Sequence, residues 1–169
     1  MKKVSILSFS IFLLSFLSFQ DDAQYYKNLD ARKTDGSTTY FSLAKNDIVA
    51  ESEAWDVSFN RTSITIKGTY TLIEKPFEQI KEVPQNKEFS AGDRPIKDWY
   101  DYDAGTHTIF TIPNKVYILR SADEKVYTKF QVISYYKDAP ETPVSGQNDP
   151  GFYTFRFQRS QEGKISFGK

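Results

Sequence analysis

The chain has 169 residues, 39% of them apolar and 16% aromatic, and its 22 basic and 22 acidic side chains balance to a net charge of zero. That length allows one domain with a core and is too short for two comfortable ones, and this apolar share with a net charge of zero argues against wholesale disorder. With no cysteine and one histidine, disulfides, thiolate metal sites, cysteine nucleophiles and multi-histidine zinc sites are excluded, and any Ser–His–Asp triad has to use His107.

Residues 1–20 read as a secretory signal. Lys2 and Lys3 make a positive start, Val4 to Phe19 is an apolar run with interspersed serines, and Asp21–Asp22 ends it. The run is short for a transmembrane span. Cleavage is expected after Gln20, with Ser18 at −3, or else after Ala23; an uncleaved anchor is the alternative. No cysteine follows, so lipid attachment of the bacterial lipoprotein kind is excluded. Removal of two lysines leaves 20 basic against 22 acidic residues, or −2, which gives nucleic acid no electrostatic footing. No membrane span is expected after signal removal.

Residues 21–37 are polar, include "DARKTDGS", and are expected to be a flexible leader. A single β domain is expected over 38–169. "TYFSLA" (39–44) and "NDIVAES" form a candidate hairpin. In "AWDVSF" (54–59), Trp55, Val57 and Phe59 point one way and Asp56 and Ser58 the other. After Asn60–Arg61 the alternation resumes in "SITIKGTYTLI", where Ile64 and Ile66 share a face. Gly68 suggests a bulge or a close backbone approach.

Residues 74–98 hold three prolines and one glycine among many charges. They read as a long excursion over the surface, with one or two helical turns between Phe77 and Val83 that end at Pro84. "DWYDYDAGTH" (98–107) reads as a polar-aromatic loop. Then come "HTIFTI" (107–112), "KVYILRS" (115–121), the turn "ADEK" and "VYTKFQVISYY" (126–136). A proline-rich loop (137–151) leads to "FYTFRFQ" (152–158), in which Tyr153, Phe155 and Phe157 share a face. "SQEG" turns into "KISFG". The whole gives nine or so strands and no helix longer than two turns: an all-β, antiparallel, multi-stranded fold whose edges are managed by loops, prolines and charges.

The residues that carry chemistry are few. Asp98, Asp101 and Asp103 are oxygen donors of the kind calcium takes, without EF-hand spacing; a solvated loop is the plainer reading. Trp99, Tyr100 and Tyr102 suit stacking on a flat ligand such as a sugar or a porphyrin, and suit core packing equally well. His107 is a candidate iron or zinc ligand or a hydrogen-bonded structural residue. Asn60–Arg61–Thr62 matches the N-glycosylation pattern. Arg61 has either Asp56 or a ligand carboxylate for its two-pronged guanidinium. Any of several tyrosines could bind ferric haem. Asp101 and Asp103, two apart, give no sign of the facing carboxylate pair a glycosidase needs.

The order "YFSLAKNDIV", "AWDVSFNRTSITIKG", "WYDYDAGTHTI", "VYILRSADEKVYTKFQVISYYKD", "GFYTFRFQ" and "GKISF" resembles the HmuY family of secreted or surface haem-binding proteins of the Bacteroidetes group. The likeness runs from about Tyr40 to Phe167. It is most specific in the Trp–Asp strand ending in an arginine and in the "YILRSAD" to "KFQVISYY" hairpin. The resemblance implies an all-β, hand-like fold gripping one haem, no enzymatic reaction, and delivery of haem to a TonB-dependent outer-membrane receptor.

The resemblance also implies ligation by two histidines in the best-known member, and by methionines in some relatives. This sequence lacks both pairs. Asn60 stands where the first histidine precedes the arginine, residues 74–98 hold no histidine, and Met1 is the only methionine. The reading is therefore a haem or porphyrin carrier, secreted or outer-membrane-associated, with His107 as the one candidate metal ligand. Asn60, Arg61, Trp99, Tyr100 and Tyr102 are expected around the cofactor. The alternative is a secreted β-protein on the same scaffold that binds another ligand or partner without iron.

Overall fold

The computed structural model describes residues 22–33 and 35–168. The expected signal, 1–20, lies outside the described residues. Among these, twelve strands form, in chain order: β1 (Gln24–Asp30), β2 (Thr39–Ser42), β3 (Asp47–Val49), β4 (Val57–Asn60), β5 (Ser63–Ile66), β6 (Thr69–Glu74), β7 (Ser90–Ala91), β8 (Tyr100–Asp103), β9 (Thr108–Thr111), β10 (Lys115–Arg120), β11 (Tyr127–Tyr136) and β12 (Pro150–Arg159). The one helical piece among them is a 3₁₀ turn at Phe77–Gln79. All pairings between strands are antiparallel, so the all-β reading holds.

A six-stranded sheet runs in the order β1-β12-β11-β10-β6-β7 and a four-stranded one in the order β3-β2-β4-β5, while β8 and β9 make a separate two-stranded hairpin. Two expectations are corrected here. The polar segment expected as a flexible leader contributes β1, which pairs along β12 from Gln24 opposite Phe157 to Asp30 opposite Phe152. The stretch read as a loop at 98–107 is instead largely hairpin, Tyr100 facing Thr111 and Asp103 facing Thr108. Neither segment has an apolar alternation strong enough to announce a strand. Each forms because a neighbouring strand offers it backbone partners.

The chain passes from the smaller sheet to the larger at Gly68. Its φ is +98°, and a Cβ there would stand 2.7 Å from the Arg120 carbonyl oxygen. The glycine is thus both a left-handed corner and a close approach, as the sequence suggested.

The two sheets face each other across the main core. Phe41, Val57, Phe59, Ile64 and Ile66 come from the small sheet, and Tyr117, Leu119, Phe130, Tyr153, Phe155 and Phe157 from the large one. Phe155 is its hub, with ring centroids 5.0 Å from Phe41, 5.4 Å from Phe59 and 5.3 Å from Phe130. Such edge and offset contacts are worth about 0.5–1.5 kcal/mol each beyond area burial.

The excursion after Glu74 does more than cross the surface. Phe77, Ile80 and Val83 fold down on the outer face of the large sheet and, with Val116, Ile118 and Phe167, make a second core. Both faces of β10 are therefore buried, which is why "KVYILR" is nearly continuous in apolar residues. "KISFG" does not form a strand: Ser166 makes an isolated bridge to Glu82, and Phe167 plugs this second core.

Candidate ligand-binding site

The β4–β5 turn carries the first two candidates. Arg61 takes a φ of +50°, and its amide donates to the Ala31 carbonyl at 2.9 Å. Asn60 donates through Nδ2 to the Gly36 carbonyl at 3.0 Å. This accounts for the break in alternation after Asn60: Asn60 ends β4 opposite Ser63, and Arg61–Thr62 is the two-residue hairpin turn, held by the segment that follows β1. Arg61 forms none of the ion pairs found among the described residues. Asp56, its candidate partner in sequence, instead accepts the Leu43 amide at 2.7 Å, and burial pushes its carboxyl upward.

Behind that turn stands a wall of rings. Trp99 donates Nε1–H to the Thr62 carbonyl at 3.3 Å, and its ring lies 4.4 Å from Tyr100, 5.9 Å from Tyr135 and 5.5 Å from Tyr153. The Tyr153 hydroxyl donates to the Arg61 carbonyl at 2.8 Å. Burial raises the ionisation points of both Tyr153 and Tyr135, so these phenols stay protonated. Arg61 works against the rise at Tyr135, which places its guanidinium within electrostatic reach of this wall.

Trp99 itself is only 2% exposed. The expectation that it offers a face to a ligand is corrected: its ring is committed to the core, and its one polar atom is spent on Thr62. Tyr100 is half-buried beside it.

The hairpin carries the other two candidates outward. Its root is closed by the Ile112 amide on the Trp99 carbonyl, and β9 is tied to the end of β11 by Ile109 N–H to the Tyr136 hydroxyl at 2.9 Å and by Thr111 Oγ1 to the Ile133 carbonyl at 3.0 Å. An isolated two-stranded hairpin is marginal, so these bonds are what hold it. At the tip, the Asp103 carboxylate accepts from the Gly105 amide at 2.8 Å and the Thr106 hydroxyl at 2.9 Å, which keeps it well ionised. His107 follows with a φ of +54°, and its Nδ1 lies 2.7 Å from the Tyr102 hydroxyl. Tyr102 is 55% exposed and His107 is exposed as well.

The six candidates thus fall into two groups: Asn60, Arg61, Trp99 and Tyr100 at the root, and Tyr102 with His107 at the tip. Residues that sequence reasoning did not single out complete the root, chiefly Tyr135, Tyr136 and Tyr153. Their strand spacing marked them as packing residues. Only the irregular pairing of β11 with β12 after Val132 brings the consecutive Tyr135 and Tyr136 both to the core side.

Between β9, the end of β11 and the following loop lies a cleft of about 140 Å³, lined by Ile109, Thr111, Ile133, Tyr135, Tyr136 and Pro140 among others. That is small beside the roughly 300–1,000 Å³ of ordinary ligand pockets. Among the described residues no group of three His, Cys, Asp or Glu side chains comes together to hold a metal ion, so the three aspartates of the run do not form a calcium site.

No protein-family model matches the chain, and no curated protein matches it. Solved structures do. An apo HmuY analog of Tannerella forsythia superposes with a TM-score of 0.64 at 12% identity, over 83% of this chain and 98% of that one. A proposed lipoprotein of Bacteroides fragilis gives 0.58 at 17% identity, over 82% and 89%. A proposed HmuY-like heme-binding protein of Bacteroides vulgatus gives 0.55 at 14% identity, over 80% and 90%. The chain has the HmuY-like fold.

Proposed function

We propose that the chain is a haem- or porphyrin-binding carrier that works at the cell surface or in the periplasm and catalyses no reaction. The observation that carries this reading is the Tyr102–His107 pair on an exposed hairpin of an HmuY-like fold. When the imidazole proton sits on Nδ1 and is donated to Tyr102, the Nε2 lone pair is open to ferric iron. A hydroxyl that holds the other ring nitrogen both orients the ring and sets the tautomer.

Tyr102 and the half-buried Tyr100 offer ring surface, and Arg61, which forms none of the ion pairs found among the described residues, offers its guanidinium to a propionate. Asn60 and Trp99 position these groups and do not touch the guest. Ligation is from one side, because the chain has one histidine and Met1 is its only methionine. A 140 Å³ cleft does not enclose a macrocycle, so the guest lies against the outside of the hairpin. Release to a TonB-dependent receptor suits such open, single-sided holding. No helix among the described residues is long and apolar enough to cross a membrane.

Ferric haem titrated into the protein is expected to give a saturable, shifted Soret band that His107→Ala abolishes. No shift in either oxidation state overturns the carrier reading. The second reading, a ligand bound without iron, is favoured by the small cleft and by the lone histidine. It gains if metal-free porphyrin binds as well as haem and His107→Ala changes neither.

A further inference from the structure

On the outer face of the large sheet, away from the ring wall, a cavity of about 450 Å³ opens between the Phe77–Val83 segment, β11, β12 and the two ends of the described chain. Its volume falls within the range of small-molecule sites. Phe77 and Phe167 supply flat apolar walls, and Lys81, Lys129 and Glu78 line it as well.

Lys129 is the unusual member. It is 3% exposed, in the middle of β11, and forms none of the ion pairs found among the described residues. Its ammonium donates to the carbonyls of Phe77 and Ile80 at 3.1 and 3.0 Å and stands 4.3 Å above the Phe77 ring. Buried lysines are rare unless paired. The acid that acts on it, Glu78, is bound to the Arg156 guanidinium, which itself stacks on Phe77 at 4.4 Å. The charged groups facing Lys129 are therefore Lys81 and Glu78 from the overlying segment and Arg156 from β12, with Asp22 among the other groups lining the cavity. Lys129, Lys81 and Arg156 against Glu78 and Asp22 leave a surplus of one positive charge on an apolar floor.

We propose that this outer-face cavity is a second ligand site, for a small carboxylate with a flat apolar body. Lys129 and Lys81 hold the carboxylate, and the body lies against Phe77 and Phe167. Burial and the neighbouring cations already hold the Lys129 ammonium down to about 8. An anion beside it favours the charged form, so binding weakens as pH rises through that value.

The test is calorimetric titration of the full-length chain with 1-naphthoate and with its neutral counterpart 1-naphthamide. The carboxylate is expected to bind saturably at one site and about tenfold or more tighter than the amide, a difference on the scale of one charge-assisted hydrogen bond. Affinity should fall between pH 7 and pH 9.5, by roughly the share of Lys129 that loses its proton. Lys129→Met is expected to weaken binding about tenfold and the exposed Lys81→Gln about threefold. Equal affinity for acid and amide, no saturable binding of the acid, or both variants binding as wild type overturns the proposal. If Lys129→Met does not fold, Lys81→Gln and the pH series decide it.

Discussion

Trp99 and Tyr102 stand three residues apart in one aromatic run, at the root and near the tip of the same hairpin. Trp99 is 2% exposed and Tyr102 is 55% exposed. Residue type does not separate them, since both are large amphipathic rings that suit a core or a ligand. Neighbours do. Trp99 meets Tyr100, Tyr135 and Tyr153 and finds a carbonyl for its N–H, whereas Tyr102 has the side chain of His107. The root is architecture and the tip is free to meet something else.

That contrast can be broken most forcefully at the root. Trp99→Ala is expected to cost about 3–5 kcal/mol, the range for deleting a buried large ring, and to be read by denaturant unfolding. A loss below about 1 kcal/mol would mean the root is not the packed structure described. At the tip, Tyr102→Phe is expected to weaken ferric haem binding by about tenfold or more, the usual effect of removing a partner from a ligating histidine, with unfolding unchanged. Equal Soret titrations for wild type and variant would detach Tyr102 from the site.

Tyr153→Phe removes the hydroxyl that holds the Arg61 carbonyl and should cost about 1 kcal/mol, read by the same unfolding curve. Smallest of all, His107→Ala should shift stability by no more than about 0.5 kcal/mol, because the side chain is exposed. A large loss there would make His107 a structural residue and sharpen the division in the opposite sense.

Much of the frame could be read from local pattern. Tyr153, Phe155 and Phe157 were placed on one face of a strand by their spacing alone, and they form the centre of the core. The hairpin of β10 and β11 sits where its turn residues predicted. Gly68 marked a close approach, and the backbone at Arg120 is what it approaches. The order of these pieces pointed to the HmuY-like fold, which the superpositions show.

The candidate site was legible only as a set of names. Spacing could not say that Arg61 and Thr62 turn a corner against Trp99. It could not say that Tyr102 reaches His107 across a hairpin, because the run 98–107 has turn composition and no apolar alternation. The leader failed for a related reason: "QYYKNLD" is too polar to predict a strand, yet β12 has a free edge that it fills.

The sequence by itself determined the strand class, the alternation of the core strands and the absence of a second histidine, because period and composition are local properties. The tertiary structure alone decided which rings are buried, that the outer face of the large sheet carries a second core, and that Lys129 ends up beneath it. Those depend on pairings between residues far apart in the chain, such as the hold of Lys129 on the carbonyls of Phe77 and Ile80, and no local period encodes them.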